Sequence, residues 1–197
     1  MNHLRTFCLL ALLSFAMGAM AQTPAKPAAT PAATPLPPAT IASVTDREVS
    51  IIESEMVPAA EAMPEDKYNF APTTGEFKGV RTFAEQVKHV ANTNYMFWSA
   101  ILGETPAVDT SKDNGPDSIK TKAEIVKYLK DSFALGHRAA KSLTPENNLE
   151  RVPVGEGKAP RVFWITFGVA HAFDHYGQMV EYLRMNGIIP PASRKNQ

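Results

Sequence analysis

Three Thr-x-x-Glu tetrads constrain this chain most. Thr45-Asp46-Arg47-Glu48, Thr82-Phe83-Ala84-Glu85 and Thr121-Lys122-Ala123-Glu124 each stand where an apolar pattern of helical period begins. In a capping box the threonine oxygen accepts from an orphan amide while the glutamate reaches back to another, so two unpaired donors are satisfied together. Behind the first tetrad, Val49, Ile52, Met56, Ala59 or Ala60, and Met63 fall on one side of a helix. Pro58 removes a donor inside that run and predicts a kink or break. Behind the second, Phe83, Val87, Val90, Asn94, Phe97 and Ile101 align over 82–102, and Gly103 offers a C-terminal stop. Behind the third, Ile125, Leu129, Phe133, Gly136, Ala140 and Leu143 align over 121–143. A fourth helix is predicted from Arg161 to Asn186, ahead of Gly187 and Pro190-Pro191.

No segment alternates with period two for long enough to predict a strand. Four amphipathic helices of this length bury their apolar faces best against one another, so the fold expected over 42–191 is an all-α four-helix bundle. The connections near 64–81, 104–120 and 144–160 are long for simple hairpins and permit crossovers, which leaves the helix order open.

The remainder of the chain reads differently. Residues 1–21 have the form of a secretory signal: Arg5, an apolar run from Phe7 to Met17, and small residues ending at Ala21. Residues 22–41 are a Pro/Ala-rich linker, with six of the chain's 16 prolines between Pro24 and Pro38. Residues 192–197 form a short tail. No later apolar run approaches the ~18 residues that a bilayer span needs, so an exported product, periplasmic or secreted and soluble after signal cleavage, is expected.

Composition restricts the chemistry. Lys plus Arg and Asp plus Glu are both 20, and a chain so balanced lacks the positive footprint of a nucleic-acid binder. The single cysteine, Cys8, lies in the signal. A mature chain without cysteine has no disulfide, no thiolate nucleophile and no cysteine-based metal site. Any tight metal site falls to histidine and carboxylate.

Beyond the signal the chain has four histidines, and two of them form His171-Ala172-Phe173-Asp174-His175. Spacing of i, i+4 stacks both imidazoles on one helix face, which suits two ligands of one ion. The same spacing suits a hydrogen-bonded core pair or a surface pair. Ala172 stands where an HExxH metalloprotease has its glutamate, so that mechanism is disfavoured. The stripe holding the pair runs through Trp164, Phe167, Gln178, Tyr182 and Met185. His89, at the polar edge of the second helix, is either a third ligand near the bundle mouth or a plain surface residue. His137 reads as structural. Asp174 can orient a ligand imidazole from behind, or be a solvated charge. Asn94 and Gln178 are polar groups in need of partners, and Tyr182 either points its hydroxyl into the site or packs in the core.

Three blocks carry a family resemblance. They are Ala62-Met-Pro-Glu-Asp-Lys-Tyr-Asn-Phe70, Phe83-Ala-Glu-Gln-Val-Lys-His-Val-Ala-Asn92 and the run from Ala170 through His171, His175 and Gln178 to Pro191. They resemble the DinB-like four-helix-bundle proteins, and the resemblance covers nearly all of 42–191. It implies a divalent metal ion held by three histidines, one from the second helix and two from the last, matching His89, His171 and His175, with an open coordination position. Zinc, nickel and iron all suit such ligands. Relatives of this type include metal-dependent transferases that activate a low-molecular-weight thiol. The function expected is therefore an exported metal-dependent enzyme, a hydrolase or a thiol or group transferase acting on a small molecule. The alternative is a non-catalytic metal-binding or interaction module of the cell envelope. Bundles of this kind often pair through an exposed helix face, so a homodimer is a possible assembly.

Overall fold

In the computed structural model, residues 37–196 are described; the expected signal and most of the linker lie outside them. Four helices follow in order: α1 (Ile41–Ala62), α2 (Phe83–Leu102), α3 (Lys122–Lys141) and α4 (Arg161–Met185). A short antiparallel hairpin, β1 (Arg151–Val154) and β2 (Gly157–Pro160), precedes α4. A 3-10 turn over Pro191–Asn196 packs back on α1.

Two of the three expected capping boxes form. Thr82 caps α2 with Glu85, and Thr121 caps α3 with Glu124, each with both reciprocal bonds. The third does not. Helix α1 starts five residues earlier than its tetrad suggests, capped by Thr40 with Ser43 in the reciprocal role. Thr45 lies one turn inside the helix, and its hydroxyl donates to the Ile41 carbonyl at 2.9 Å. Threonine can turn its hydroxyl back on the preceding turn, so a Thr-x-x-Glu tetrad within a helix can imitate a start. The helix also runs unbroken through Pro58. Met56, Ala59, Ala60 and Met63 are fully buried on both sides of that proline, and this packing holds the turn that a missing amide weakens.

The helix order follows from which faces meet. Helix α1 packs on α3 and α4, and so does α2, whereas α3 and α4 scarcely touch. The consecutive pairs α1/α2 and α3/α4 therefore lie across diagonals of the bundle. That is why the connections at 64–81 and 144–160 are long: each crosses an end of the bundle. Trp98 of α2 is fully buried at the centre, and two glycines admit its ring. A Cβ on Gly136 of α3 would lie 2.5 Å from Trp98 Cζ3, and one on Gly168 of α4 would lie 3.0 Å from Nε1.

The hairpin was not expected. Its strands are four residues each, both contain a proline (Pro153 and Pro160), and the turn uses Gly155 at φ 54°. Such short strands carry no readable alternation. The indole N–H of Trp164 ties the hairpin to α4 by donating to the Val152 carbonyl at 3.1 Å.

Candidate metal centre

Helices α2 and α4 are neighbours in the bundle, and their contact brings three histidines together. The Nε2 atoms of His89 and His171 are 3.1 Å apart, and those of His171 and His175 are 3.2 Å apart. One ligand atom from each of the three lies within 4.8 Å of the others. His175 is buried, while His89 and His171 are half-buried at its mouth side. Sequence reasoning left His89 at a polar edge; the packing turns that edge toward α4.

The partners of the outer nitrogens decide what the inner ones offer. His89 Nδ1 meets the Asp113 backbone carbonyl at 2.8 Å and an Asp113 carboxylate oxygen at 3.2 Å. Both accept only, so Nδ1 carries the hydrogen, and in the neutral ring the lone pair is on Nε2. The tautomer of His175 is set by a longer chain. Asp174 accepts from the Gln178 amide at 3.1 Å. Gln178 Oε1 then accepts from Gln86 Nε2 at 2.8 Å, and Gln86 Oε1 meets His175 Nδ1 at 2.5 Å. A carboxylate at one end fixes the direction of every bond in the chain, so His175 donates from Nδ1 and its Nε2 is also a bare lone pair.

His171 closes the argument. Its Nε2 faces both of those lone pairs, and a single hydrogen there cannot serve both contacts well. Its Nδ1 is buried with no partner. Burial, followed by the charge of neighbouring His89, lowers the His171 pKa to about 4. Burial, followed by His171 and His89, lowers that of His175 to about 4. Both imidazoles are therefore neutral near pH 7 and have lone pairs to give. Three facing imidazole nitrogens, two with fixed tautomers, are a donor set that fits a divalent cation.

A cavity of about 460 Å³ opens beside the cluster, lined by His89, Asn92, Phe97, Asp113, Phe167 and His171 among others. The 104–120 connection forms its rim and is pinned at several points. Buried Asn92 donates to the Lys112 carbonyl at 3.0 Å and accepts from the Tyr128 hydroxyl at 3.2 Å. Lys88 donates to the Pro116 carbonyl at 2.8 Å. Arg81 pairs with Asp113 and donates to Asn114 at 2.8 Å.

The other expected site residues divide. Asp174 and Gln178 stand behind His175 in the chain just described. Asn94 and Tyr182 are not brought to the cluster. Fully buried Asn94 lies on the side of α2 that faces α3 and donates to Ser132 at 3.0 Å. The Tyr182 hydroxyl donates to the Arg81 carbonyl at 3.0 Å, with its ring edge-on to Phe70 at 5.6 Å. The stripe expected on α4 is rotated as well: Phe167 and Met185 are exposed, and the inner face runs through Ile165, Val169, Ala172, His175, Met179 and Leu183. Gln86 and Asp113 were missed. Gln86, one turn before His89, left a faint signal as a polar residue beside Val87 and Phe83; Asp113 sits in a connection with no periodicity. His137 is bound between Asp46 at 2.6 Å and Glu53 at 2.9 Å, a clasp between α3 and α1.

The fold and its site define a class: a four-helix bundle that gathers imidazoles from facing helices into its core. The chain belongs to the DinB superfamily, whose sequence profile matches residues 48–179. The fold is similar to the crystal structure of a DinB-like protein from Bacillus cereus ATCC 10987. That match has a TM-score of 0.62 and 14% identity, and it covers 77% of this chain and 96% of that one. No curated protein matches the chain. Among the described residues, no helix is long and apolar enough to cross a membrane.

Proposed function

We propose that the protein is an exported metal-dependent enzyme whose centre is His89, His171 and His175. The observation that carries this reading is the convergence of three Nε2 atoms, two of them held as bare lone pairs by Asp113 and by the Asp174–Gln178–Gln86 chain. A divalent ion held there, zinc, nickel or iron, supplies Lewis acidity toward water or a thiol at its open position. The chain's own residues do the rest. Gln86 and the Asp113 carbonyl orient the imidazoles, and Phe97 and Phe167 give the cavity an apolar wall. Asn92 and Arg81 hold the rim in place. Export rests on the form of residues 1–21.

Hydrolysis and group transfer both suit such a centre. One observation favours the second reading, a non-catalytic metal-binding or interaction module of the envelope. Among the residues lining the cavity the only carboxylate is Asp113, and burial, which would raise its pKa, is outweighed by Arg81 and His89, which lower it. A carboxylate held ionised is a weak base. The deciding experiment strips the purified protein with chelator, reloads it with zinc, nickel or iron, and assays ester and amide hydrolysis and thiol transfer. Turnover that appears on loading and disappears in His171→Ala supports the enzyme; binding without turnover in every loaded form supports the module.

A further inference from the structure

Resting on the metal reading above, the geometry points to the kind of molecule the centre takes. The cavity beside the histidines shares Met96 and Thr110 with a second, larger one of about 630 Å³. That volume lies within the roughly 300–1,000 Å³ usual for small-molecule sites. The second cavity lies between the end of α2, the start of the 104–120 connection and the hairpin, and its walls include Met96, Ala100, Pro106, Val152 and Val154. Along α2, His89, Asn92 or Thr93, Met96, Ala100 and Gly103 recur at spacings of three or four, so they lie on one helix face. With ~1.5 Å of rise per residue that face extends ~20 Å from the histidines. The two cavities are therefore successive parts of one groove, metal-ligating at one end and aliphatic at the other.

Charge limits what can lie there. The charged groups in the second cavity and on the rim of the first are already engaged: Glu104 pairs with Arg138 at 2.5 Å, and Asp113 pairs with Arg81. Neither cavity has a lysine or arginine in its lining, so nothing there neutralises a phosphate or a second carboxylate. Aromatic rings continue the apolar character beside the histidines. Phe97 lies 5.5 Å from Phe167 and 5.0 Å from Trp164, and Phe167 stacks on Phe163 at 5.5 Å. Phe163 and Phe167 are 44% and 43% exposed.

We propose that the ligand of this centre is a small molecule with a compact metal-binding head and an uncharged alkyl tail, with the head at the histidines and the tail in the groove walled by Met96, Ala100, Pro106 and Val154. The test uses the full chain loaded with zinc and titrated with straight-chain hydroxamates from aceto- to octanohydroxamate. Affinity should rise about fourfold for each added methylene while the tail remains in the groove. Ala100→Trp fills the groove from α2, and Val154→Asp places a charge in it from the exposed hairpin. Each should reduce the ratio of octano- to acetohydroxamate affinity toward one. If one variant fails to fold, the other still gives the result. An affinity independent of chain length in zinc-loaded protein overturns this proposal and leaves the metal centre standing. So does a chain-length dependence that survives both substitutions. Protein that takes up no zinc overturns both.

Discussion

Replacing Gln86 by leucine should weaken metal binding without unfolding the protein. Gln86 is 2% exposed and gives His175 Nδ1 its acceptor at 2.5 Å. To offer its Nε2 lone pair to an ion, His175 must keep the hydrogen on Nδ1. With leucine beside it that buried N–H has no partner, which costs about 1–3 kcal/mol. The metal-free protein avoids most of this cost, because His175 can move its hydrogen to Nε2 and donate to His171 at 3.2 Å. The penalty therefore falls on the loaded state and should weaken zinc binding about 5- to 150-fold, a span that brackets the roughly 10- to 100-fold usual for losing a partner behind a metal ligand. Competition against a chromogenic chelator at pH 7 measures it, with thermal melting by circular dichroism to verify folding. Gln86→Glu retains an acceptor for His175 and should bind zinc far better than the leucine variant. A folded Gln86→Leu protein that binds zinc within about twofold of the unaltered chain would show that Gln86 does not hold the His175 tautomer.

Other consequences test the frame around the site. In Gly136→Ala the new Cβ meets the buried Trp98 ring at 2.5 Å. Overpacking of this kind costs ~1–3 kcal/mol and is partly or wholly offset by ~1 kcal/mol of helix propensity, so melting should drop by up to several degrees; a raised Tm contradicts the packing. For His137, burial alone would lower the pKa, but hydrogen bonds and charge from Glu53 and Asp46 outweigh it and raise the value above its usual 6.5. A raised folded pKa gives stabilisation that is complete below the unfolded value near 6.5 and is lost as pH rises through the folded value. The difference in stability between the unaltered chain and His137→Gln should therefore shrink from pH 6 to pH 9, and urea titrations showing a constant or growing difference would count against the clasp. Asn92→Leu removes the bonds to Lys112 and Tyr128 and should speed amide hydrogen exchange in residues 110–116 while α3 remains protected; uniform exchange change across the chain would argue against a local role.

Local signals were the legible part of this fold. Each helix is set by its own period, and the caps at Thr82 and Thr121 by side chains three residues apart, so a reading of neighbours finds them. Thr45 misled because its tetrad satisfies the same local rule from inside a helix. The diagonal placement of α1 against α2 depends on faces far apart in sequence, and no local rule contains it. The site divides in the same way. His171 and His175 are visible together because i, i+4 is a property of one helix. Their link to His89 was reached through family resemblance and not from periodicity, since it spans 82 residues of sequence. Gln86 and Asp113 were missed because each matters only through a partner on another element. Tyr182 was left open between site and core for a related reason: the partner that claims its hydroxyl, the Arg81 carbonyl, lies on another part of the chain.

The central claim is that three imidazoles of this chain hold one divalent ion. Elemental analysis of the purified protein, after exposure to excess zinc and removal of the unbound ion, tests it most directly. One equivalent of zinc per chain is expected, with loss of tight binding in His171→Ala, since the His171 Nε2 lies between the other two. Unaltered protein that retains no zinc, or His171→Ala protein that still retains a full equivalent, would contradict it.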